Sequence, residues 1–347
     1  MTFSFDSIVV TGSAAISAAG TGIEPLLQLL ASGGTVRTPV PDDIPHAPGQ
    51  FWAKATHFKA TDFMPPLKAR KLDRCSQFAV AATGLALKDA GIVPAEMEPE
   101  RIGIALGCGF GGLANSAEFL CGFFASGSEG LSPMLFPNTV ANAAASNASI
   151  EHGLKGPNVT LVQRFCSAES ALLMACRFIE EGRADVMVVG GADDLMPLMA
   201  SGFAAMGQHR RYASLFGEGA GILVLERADR AQQRGARIRG RLQSVATIGM
   251  LVPGREQEGI ELLLGPGGSA GLVSLSGTAC DLTPLRQVVD TCPVLDIGFA
   301  VGRSLAMGAT AMAALLAKLE QGTVGLHLAA SPEGPCFAIR FTGGSPV

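Results

Sequence analysis

The stretch SALLMACRFIEEGRADVMVVGGAD (170–193) decides the fold, because it predicts a helix followed directly by a strand. Its first part, residues 170–185, is predicted to be helical. Its second part, VMVVGGAD (186–193), is a short valine-rich run that ends at glycines, which is typical of a strand in the centre of a sheet. A helix that leads into a buried strand is a building unit of α/β proteins.

The same alternation continues along the rest of the chain. Further strands are predicted where short apolar runs end at glycines or charged residues: SIVVTG (7–12), RIGIALGCGFGG (101–112) and GILVLER (221–227). Further helices are predicted where apolar residues recur at helical spacing: residues 22–34, 70–92 and 304–322. Residues 34–66 are rich in Pro, Asp, His and Thr and predict a surface loop. The sequence therefore predicts an α/β protein with layered sheets.

The composition excludes several classes of function. Of the 347 residues 48% are hydrophobic and only 16% are charged, which predicts a large core and suits an obligate oligomer. The net charge is −4 and there is no dense block of Lys and Arg, so a nucleic-acid partner is not expected. The sequence has no uninterrupted run of 18 apolar residues, so no membrane span is predicted. The first basic residue is Arg37, so the positively charged region that begins a signal peptide is not expected. A cytoplasmic location is expected.

The eight cysteines and five histidines predict no metal site. They are scattered without CxxC pairs or the spacing of zinc ligands. Most of the cysteines are expected to be small buried apolar residues.

Five segments, in order, resemble the β-ketoacyl synthase family: RKLDRCSQFAVAA (70–82), GCGFGG (107–112), SPMLFPNTVANAAASNASIEHGLKGPN (132–158), EEGRADVMVVGGADDLMPLMASGFAAMG (180–207) and FGEGAGILVLE (216–226). A weaker match is GRSLAMGATAMAALLAKLEQG (302–322). The resemblance implies a thiolase-like fold, with two similar halves in an α-β-α-β-α sandwich. It also implies a dimer formed along a central strand. We expect residues 1–230 to form the N-terminal half with the dimer interface, and residues 231–347 a shortened C-terminal half.

Members of this family carry out decarboxylative Claisen condensation. A cysteine thiolate takes the acyl chain from the phosphopantetheine arm of a carrier protein. Two histidines then stabilise the enolate and the oxyanion that form when malonyl carrier protein loses CO₂. A helix N-terminus helps the thiol to ionise, and the developing negative charge needs donors that are already in place.

The nucleophile position is not a cysteine in this chain. Counting inward from GPN (156–158) and from the end of the following helix places that position at Phe165. Cys166 is one residue too late, and one residue of helix is a rotation of about 100°. Two interpretations remain open: Cys166 is a displaced nucleophile, or it is a small buried residue beside a phenylalanine that fills the pocket.

Both histidine positions are also changed. The segment SLSGTACDL (274–282) resembles the family's His-Gly-Thr-Gly-Thr segment and places Ser276 at the first histidine, with Gly277 and Thr278 kept. The segment VGRSL (301–305) places Arg303 at the second. The lysine expected a few residues earlier is absent from LDIGFAVG (295–302).

Two further departures lie near the expected site. Only QHRRYASL (208–215) stands where the family has a longer loop, and His209 lies in that remnant. The glycine-rich motif near the C-terminus is reduced to SPEGPCFAIRF (331–341), which predicts a filled pocket. His327, in the penultimate strand region, does not match either histidine position.

A ketosynthase fold without its catalytic residues resembles the chain-length factors of type II polyketide and aryl-polyene-like systems. These pair with an active ketosynthase, which supplies the cysteine and the histidines. The resemblance places the interface near residues 107–142. The candidate tunnel or interface residues are Phe119, Phe123, Phe124, Met134, Leu135 and Phe136. No resident cofactor is expected, since phosphopantetheine-linked chains arrive on an acyl carrier protein.

Two enzymatic hypotheses compete with this one. Cys166 or the adjacent Ser167 could act as an acyltransferase or thioesterase nucleophile, with Arg164 or Arg303 binding a carboxylate or phosphate. Alternatively, Gln163 could support malonyl decarboxylation, although it precedes the nucleophile position by two residues.

Overall fold

The computed structural model describes residues 1–208, 215–265, 270–277, 283–285, 289, 291–331 and 334–344. In chain order the strands are β1 (Thr2–Ser4), β2 (Ile8–Ser17), β3 (Gly20–Thr21), β4 (Thr38–Pro39), β5 (Phe51–Ala53), β6 (Ile102–Gly107), β7 (Asn158–Leu161), β8 (Val186–Asp193), β9 (Leu215–Gly217), β10 (Gly219–Arg227), β11 (Gly240–Ile248), β12 (Leu272–Gly277), β13 (Val294–Asp296), β14 (Val324–Ala330) and β15 (Cys336–Gly343). The α-helices are α1 (Ile23–Ala31), α2 (Pro66–Ala69), α3 (Arg74–Ala90), α4 (Leu113–Ser126), α5 (Ala143–His152), α6 (Ser167–Glu180), α7 (Pro197–Ala205), α8 (Ala228–Gln233), α9 (Glu256–Leu264), α10 (Ile297–Val301) and α11 (Gly308–Lys318).

The main sheet consists of two halves with the same topology. The N-terminal half has the strand order β2-β10-β8-β6-β7, and the C-terminal half has the order β11-β15-β14-β12-β13. In each half the second strand in that order is antiparallel to both of its neighbours, while the other pairings are parallel. Strands β2 and β11 join the halves through two residue pairs. The two similar halves that the resemblance implied are therefore present.

Helices cover and separate the two half-sheets. On one side α3 and α5 pack on the N-terminal half-sheet. Helix α6 packs on strands of the same half and against α11, and α11 contacts strands of both halves. The side chain of Glu169 extends the contacts of α6 to β12 and β14. Helix α9 packs on β11 and β15 of the C-terminal half. Helices α6 and α11 carry many fully buried alanines, and these small side chains allow a helix to pack closely between two sheets. The boundary near residue 230 stays a prediction, with β10 and β11 on either side of it.

Local sequence signals explain the bounds of the helices. Asp73 caps α3, because its side chain accepts a hydrogen bond from the Ser76 backbone N–H at 2.7 Å. Gly91 ends the same helix with φ of 65°, a conformation that glycine adopts without strain. The predicted loop at 34–66 contains the short strands β4 and β5, which form a second, three-stranded sheet with β9. Among the described residues, no helix is both long and apolar enough to cross a membrane.

Candidate functional site

The site is built where the edge strand β7 leads into the buried helix α6. A 3₁₀ turn, Arg164–Cys166, connects them. Ser167 closes this turn: its Oγ donates to the Arg164 carbonyl at 2.7 Å and accepts from the Gln163 N–H at 3.0 Å. Since the Ser167 hydroxyl is fully buried and fully engaged, it has a structural role at this elbow.

Phe165 occupies the start of the elbow and is completely buried. It belongs to an apolar cluster contributed by β5, α7, β9 and the segment after α10. The members of this cluster are Val40, Ile44, Trp52, Phe165, Met196, Met199, Ala200, Phe203, Phe216 and Leu305. Aromatic packing is dense here, since the rings of Phe203 and Phe216 stack with centroids 5.0 Å apart. A hydrocarbon ring thus stands where the sequence places the nucleophile.

Cys166 faces a different part of the core. It is fully buried in the cluster between α6, α11 and the C-terminal half-sheet, together with Ala329 and Phe337. Its Sγ lies 3.1 Å from the carbonyl oxygen of Pro335, to which the thiol donates. The two neighbouring side chains therefore enter separate clusters, as a rotation of about 100° between successive helical residues requires. Thiolate chemistry needs ionisation and access, and burial opposes both.

Ser276, at the first predicted histidine position, is part of a buried polar network. Its Oγ donates to Glu169 Oε1 at 2.6 Å and lies 3.3 Å from Nε2 of His327. The same ring nitrogen is 2.8 Å from Glu169 Oε1. On the other side of the ring, Ser274 Oγ lies 2.9 Å from Nδ1. All four side chains are at most 1% exposed.

The fold brings these four residues together from three elements. The parallel pairing of β12 with β14 places Ser274 directly beside His327. Glu169 comes from the first turn of α6, which packs over these strands. Its carboxylate lies against Gly308 at the start of α11, where any Cβ would collide with it. One imidazole is therefore close to the first histidine position, but it is buried and held by a carboxylate.

Arg303, at the second predicted histidine position, is held by backbone hydrogen bonds to β9 and by side-chain contacts with nearby residues of its own segment. Its backbone N–H donates to the Leu215 carbonyl, and its own carbonyl accepts from the Gly217 N–H, both at 2.9 Å. Its guanidinium lies 3.8 Å from the Asp296 carboxylate. It also covers Gly298, where an added Cβ would collide with it. The side chain of Arg303 thus packs against residues 296–298. These residues belong to the segment 295–302, which lacks the lysine expected from the resemblance.

Two adjacent aspartates with raised pKa values lie at and just after the end of β8, and the first of them supports the glycine-rich turn beside the site. Asp193, at the end of β8, accepts from the backbone N–H groups of Gly109 (2.9 Å) and Phe110 (3.2 Å). Burial raises its pKa to about 6 in spite of these hydrogen bonds. Burial, followed by repulsion from Asp73, Asp193 and other carboxylates, raises the pKa of Asp194 to about 7.

The predicted tunnel or interface residues lie at the surface of the chain. Helix α4 contains no buried residue. Phe124 is 80% exposed, and Phe123, Met134 and Phe136 are also exposed. Phe119 and Leu135 are partly buried, and the rings of Phe119 and Phe136 lie 5.8 Å apart. These residues form an apolar surface on one chain, and their assignment to a tunnel stays a prediction.

Several predicted features lie wholly or partly outside the described residues. These are His209 with most of the shortened loop at 208–215, Thr278 and residues 279–282, and residues 332–333 of the C-terminal remnant. Within the described residues, no group of His, Cys, Asp and Glu side chains could hold a metal ion.

Sequence reasoning missed Glu169 and assigned no role to His327. A signal was present in each case. Glu169 is a charged residue on the buried side of α6, and His327 stands within the apolar run VGLHLAA (324–330). A charged side chain is rarely fully buried without a partner, so each residue predicts that a partner exists. The identity of that partner depends on which elements the fold brings together.

Comparisons with known proteins identify the family of this chain. Residues 5–231 match the family model described as "Beta-ketoacyl synthase, N-terminal domain". Relatives include the 3-oxoacyl-[acyl-carrier-protein] synthase 2 of Synechocystis sp., 31% identical over 257 residues, which are 69% of this chain and 62% of the relative. The synthase of the same name from Rhizobium meliloti is 32% identical over 259 residues, which are 67% of this chain and 61% of the relative. The chain thus spans about three-fifths of the length of these relatives.

Solved structures are similar over nearly the whole chain. The ishigamide ketosynthase/chain length factor has a TM-score of 0.82 at 22% identity, covering 97% of this chain and 99% of that one. A type II PKS acyl-carrier protein in complex with its ketosynthase gives a TM-score of 0.82 at 19% identity, with the same coverage. At these identities the likeness establishes the fold, and the predicted thiolase-like fold is confirmed. Since its family model matches most of the residues, the chain belongs to the beta-ketoacyl synthase family.

Proposed function

We propose that this chain is a non-catalytic ketosynthase subunit, of the chain-length-factor type, that pairs with an active β-ketoacyl-carrier-protein synthase. The observation that carries the proposal is the replacement of the nucleophile by Phe165, fully buried in an apolar cluster. A phenyl ring cannot form a thioester, so the acyl-transfer step has no acceptor at this position.

The two histidine positions support the same conclusion. Ser276 donates a hydrogen bond to Glu169, and the guanidinium of Arg303 lies over Gly298 near Asp296. Loss of one donor from an oxyanion site typically costs a factor of about 10²–10³ in rate. The absence of the nucleophile together with both imidazoles therefore predicts negligible condensation by this chain alone.

The surface of the chain supports pairing with another subunit. Strand β7 is the outer strand of the N-terminal half-sheet, so one of its edges is open to another strand. Helix α4 and the segment after it present Phe123, Phe124, Met134 and Phe136 to solvent. Large exposed apolar patches of this kind mark interaction sites.

In the proposed complex the active ketosynthase supplies the cysteine and the histidines. The acyl chain reaches it on the phosphopantetheine arm of an acyl carrier protein, and this chain contributes tunnel wall and limits chain length. The names of the structural neighbours support this pairing, since one is a ketosynthase/chain length factor and another contains a carrier protein with its ketosynthase. The sequence relatives are named synthases, so activity has to be tested directly.

The test is reconstitution with the active ketosynthase encoded near this gene. We expect the two chains to co-purify and to elongate acyl chains from malonyl carrier protein, whereas this chain alone gives no product. A stable homodimer of this chain that elongates acyl chains by itself would overturn the proposal.

The variants Phe165→Ala and Phe165→Cys test the role of Phe165. If the ring only fills space, turnover by the complex should change by less than about threefold, because the partner performs the chemistry. Phe165→Ala should still lower stability by about 3–5 kcal/mol through the cavity that it creates. A large loss of turnover in a folded complex would instead assign Phe165 a part in the reaction.

A further inference from the structure

A narrow recess lies where the end of β2 and the turn between β9 and β10 meet the first turn of α11. Its volume is about 10 Å³, which is close to the least that a single water molecule needs. Strands β2 and β10 belong to the N-terminal half-sheet, whereas α11 is the helix that contacts strands of both halves. The recess therefore lies between elements that hold the two halves together.

Three buried hydroxyl groups line the recess: those of Ser17, Ser304 and Thr310, which are 5%, 8% and 4% exposed. Ser17 Oγ accepts a hydrogen bond from the Ala19 N–H, and Ser304 Oγ accepts one from the Ala306 N–H, both at 3.3 Å. Among the described residues, neither serine has an acceptor for its own hydroxyl hydrogen, and Thr310 Oγ1 has no hydrogen-bond partner at all. Buried polar groups rarely lack partners, so three hydroxyls that share one recess indicate a common ligand.

The first turn of α11 has an unmet need of the same kind. Met307 occupies the position before the helix, and no side-chain hydrogen bond caps this end. The first N–H groups of any helix have no partner within the helix, so side chains, water or ligands have to satisfy them. Thr310 belongs to this turn. A small hydrogen-bonding ligand in the recess is therefore placed to serve both the hydroxyl groups and the end of the helix.

The charges around the recess favour a neutral ligand. The first turn of α11 carries the positive end of the helix dipole, which disfavours a cation. Glu218 is the only charged residue among the described residues that line the recess, and its carboxylate offers no attraction to an anion. Hydroxyl groups both donate and accept hydrogen bonds, and so does a water molecule.

We propose that this recess is a binding site for one ordered water molecule, held by the hydroxyl groups of Ser17, Ser304 and Thr310. Buried water molecules typically make about three hydrogen bonds to polar groups that would otherwise lack partners. The water joins the end of β2 to the first turn of α11, two segments about 290 residues apart in the chain. This inference is independent of the proposed function, because it concerns the packing of this chain alone.

The variant Thr310→Val tests the site through stability, because Thr310 Oγ1 makes no other hydrogen bond to the described residues that the change would break. A methyl group replaces a hydroxyl that binds the water, so Tm should fall by about 1–2 °C. Thr83→Val is the matched control. Thr83 lies in α3, is fully buried, and its enclosed Oγ1 has no partner among the described residues. Removing that hydroxyl should leave Tm unchanged or raise it.

A crystal structure in which ordered water is visible tests the site directly. We expect one water molecule within about 2.5–3.2 Å of at least two of the three hydroxyl oxygens. If the recess shows no water while other buried waters are ordered, or if Thr310→Val raises Tm as Thr83→Val does, the inference is wrong. The proposed function is unaffected by either result, since reconstitution with the active ketosynthase tests it separately.

Discussion

Removing one member of the buried Glu169–His327 pair should destabilise the protein far more than removing both. In His327→Leu the Glu169 carboxylate keeps one hydrogen bond, from Ser276, while its Oε2 atom already has no partner among the described residues. Both side chains of the pair are fully buried. Breaking a buried hydrogen-bonded pair in this way typically costs about 3–5 kcal/mol, because the remaining polar group stays buried without its partner.

This free energy converts to a measurable shift in Tm. At about 2.1 cal/mol/K per residue, a chain of 347 residues has an unfolding entropy of about 0.7 kcal/mol/K. A loss of 3–5 kcal/mol therefore corresponds to a decrease of about 4–7 °C in Tm. The second substitution, Glu169→Met, removes the buried polar group that has lost its partner, so the double variant should recover a substantial part of this loss.

The assay is thermal unfolding of four proteins: the unmodified chain, both single variants and the double variant. His152→Leu is a matched control, since that partly buried histidine hydrogen-bonds only to the Val80 carbonyl, with 2.8 Å between the atoms. Its loss should cost about 1 kcal/mol. If the two single effects simply add in the double variant, the residues are not energetically coupled and the reasoning is refuted.

Two further predictions concern thiol access and pH. In the native protein the exposed Cys121 should react with iodoacetamide near neutral pH while the buried Cys166 does not, as peptide mass spectrometry would show; rapid alkylation of Cys166 would favour the displaced-nucleophile hypothesis. Because the pKa of Asp194 is raised from 3.8 to about 7, the folded state binds more protons than the unfolded state, and the free energy of unfolding should fall as pH rises between these values. Asp193, whose pKa is raised to about 6, gives a slope of the same sign at lower pH, so Asp194→Asn should reduce the slope in Tm mainly between pH 6 and 7. An unchanged slope in that range would contradict the assignment.

Local pattern alone predicted some of the central strands and helices and left many shorter elements unassigned. The strand predicted at 186–193 is β8 with the same bounds, and the helix predicted at 70–92 is α3 with its ends trimmed to Arg74 and Ala90. The prediction at 170–185 was displaced, because α6 begins at Ser167 and ends at Glu180. Helix ends depend on local backbone conformation, such as the 3₁₀ turn Arg164–Cys166 that precedes α6, which hydropathy does not register.

The candidate site was only partly predictable. The resemblance to the family places the three catalytic positions at Phe165, Ser276 and Arg303, and this assignment stays a prediction. What surrounds each of them could not be predicted from the sequence. Glu169 and His327 are 158 residues apart in sequence, and nothing local to either one identifies the other.

The sequence by itself thus predicted the α/β class, the family and several central strands and helices, because periodicity and motif order are properties of neighbouring residues. The tertiary structure decided that Cys166 is enclosed, that Glu169 holds His327, and that the aromatic residues of α4 face outward. These properties depend on which distant segments are packed together, and burial and pairing are set by that packing.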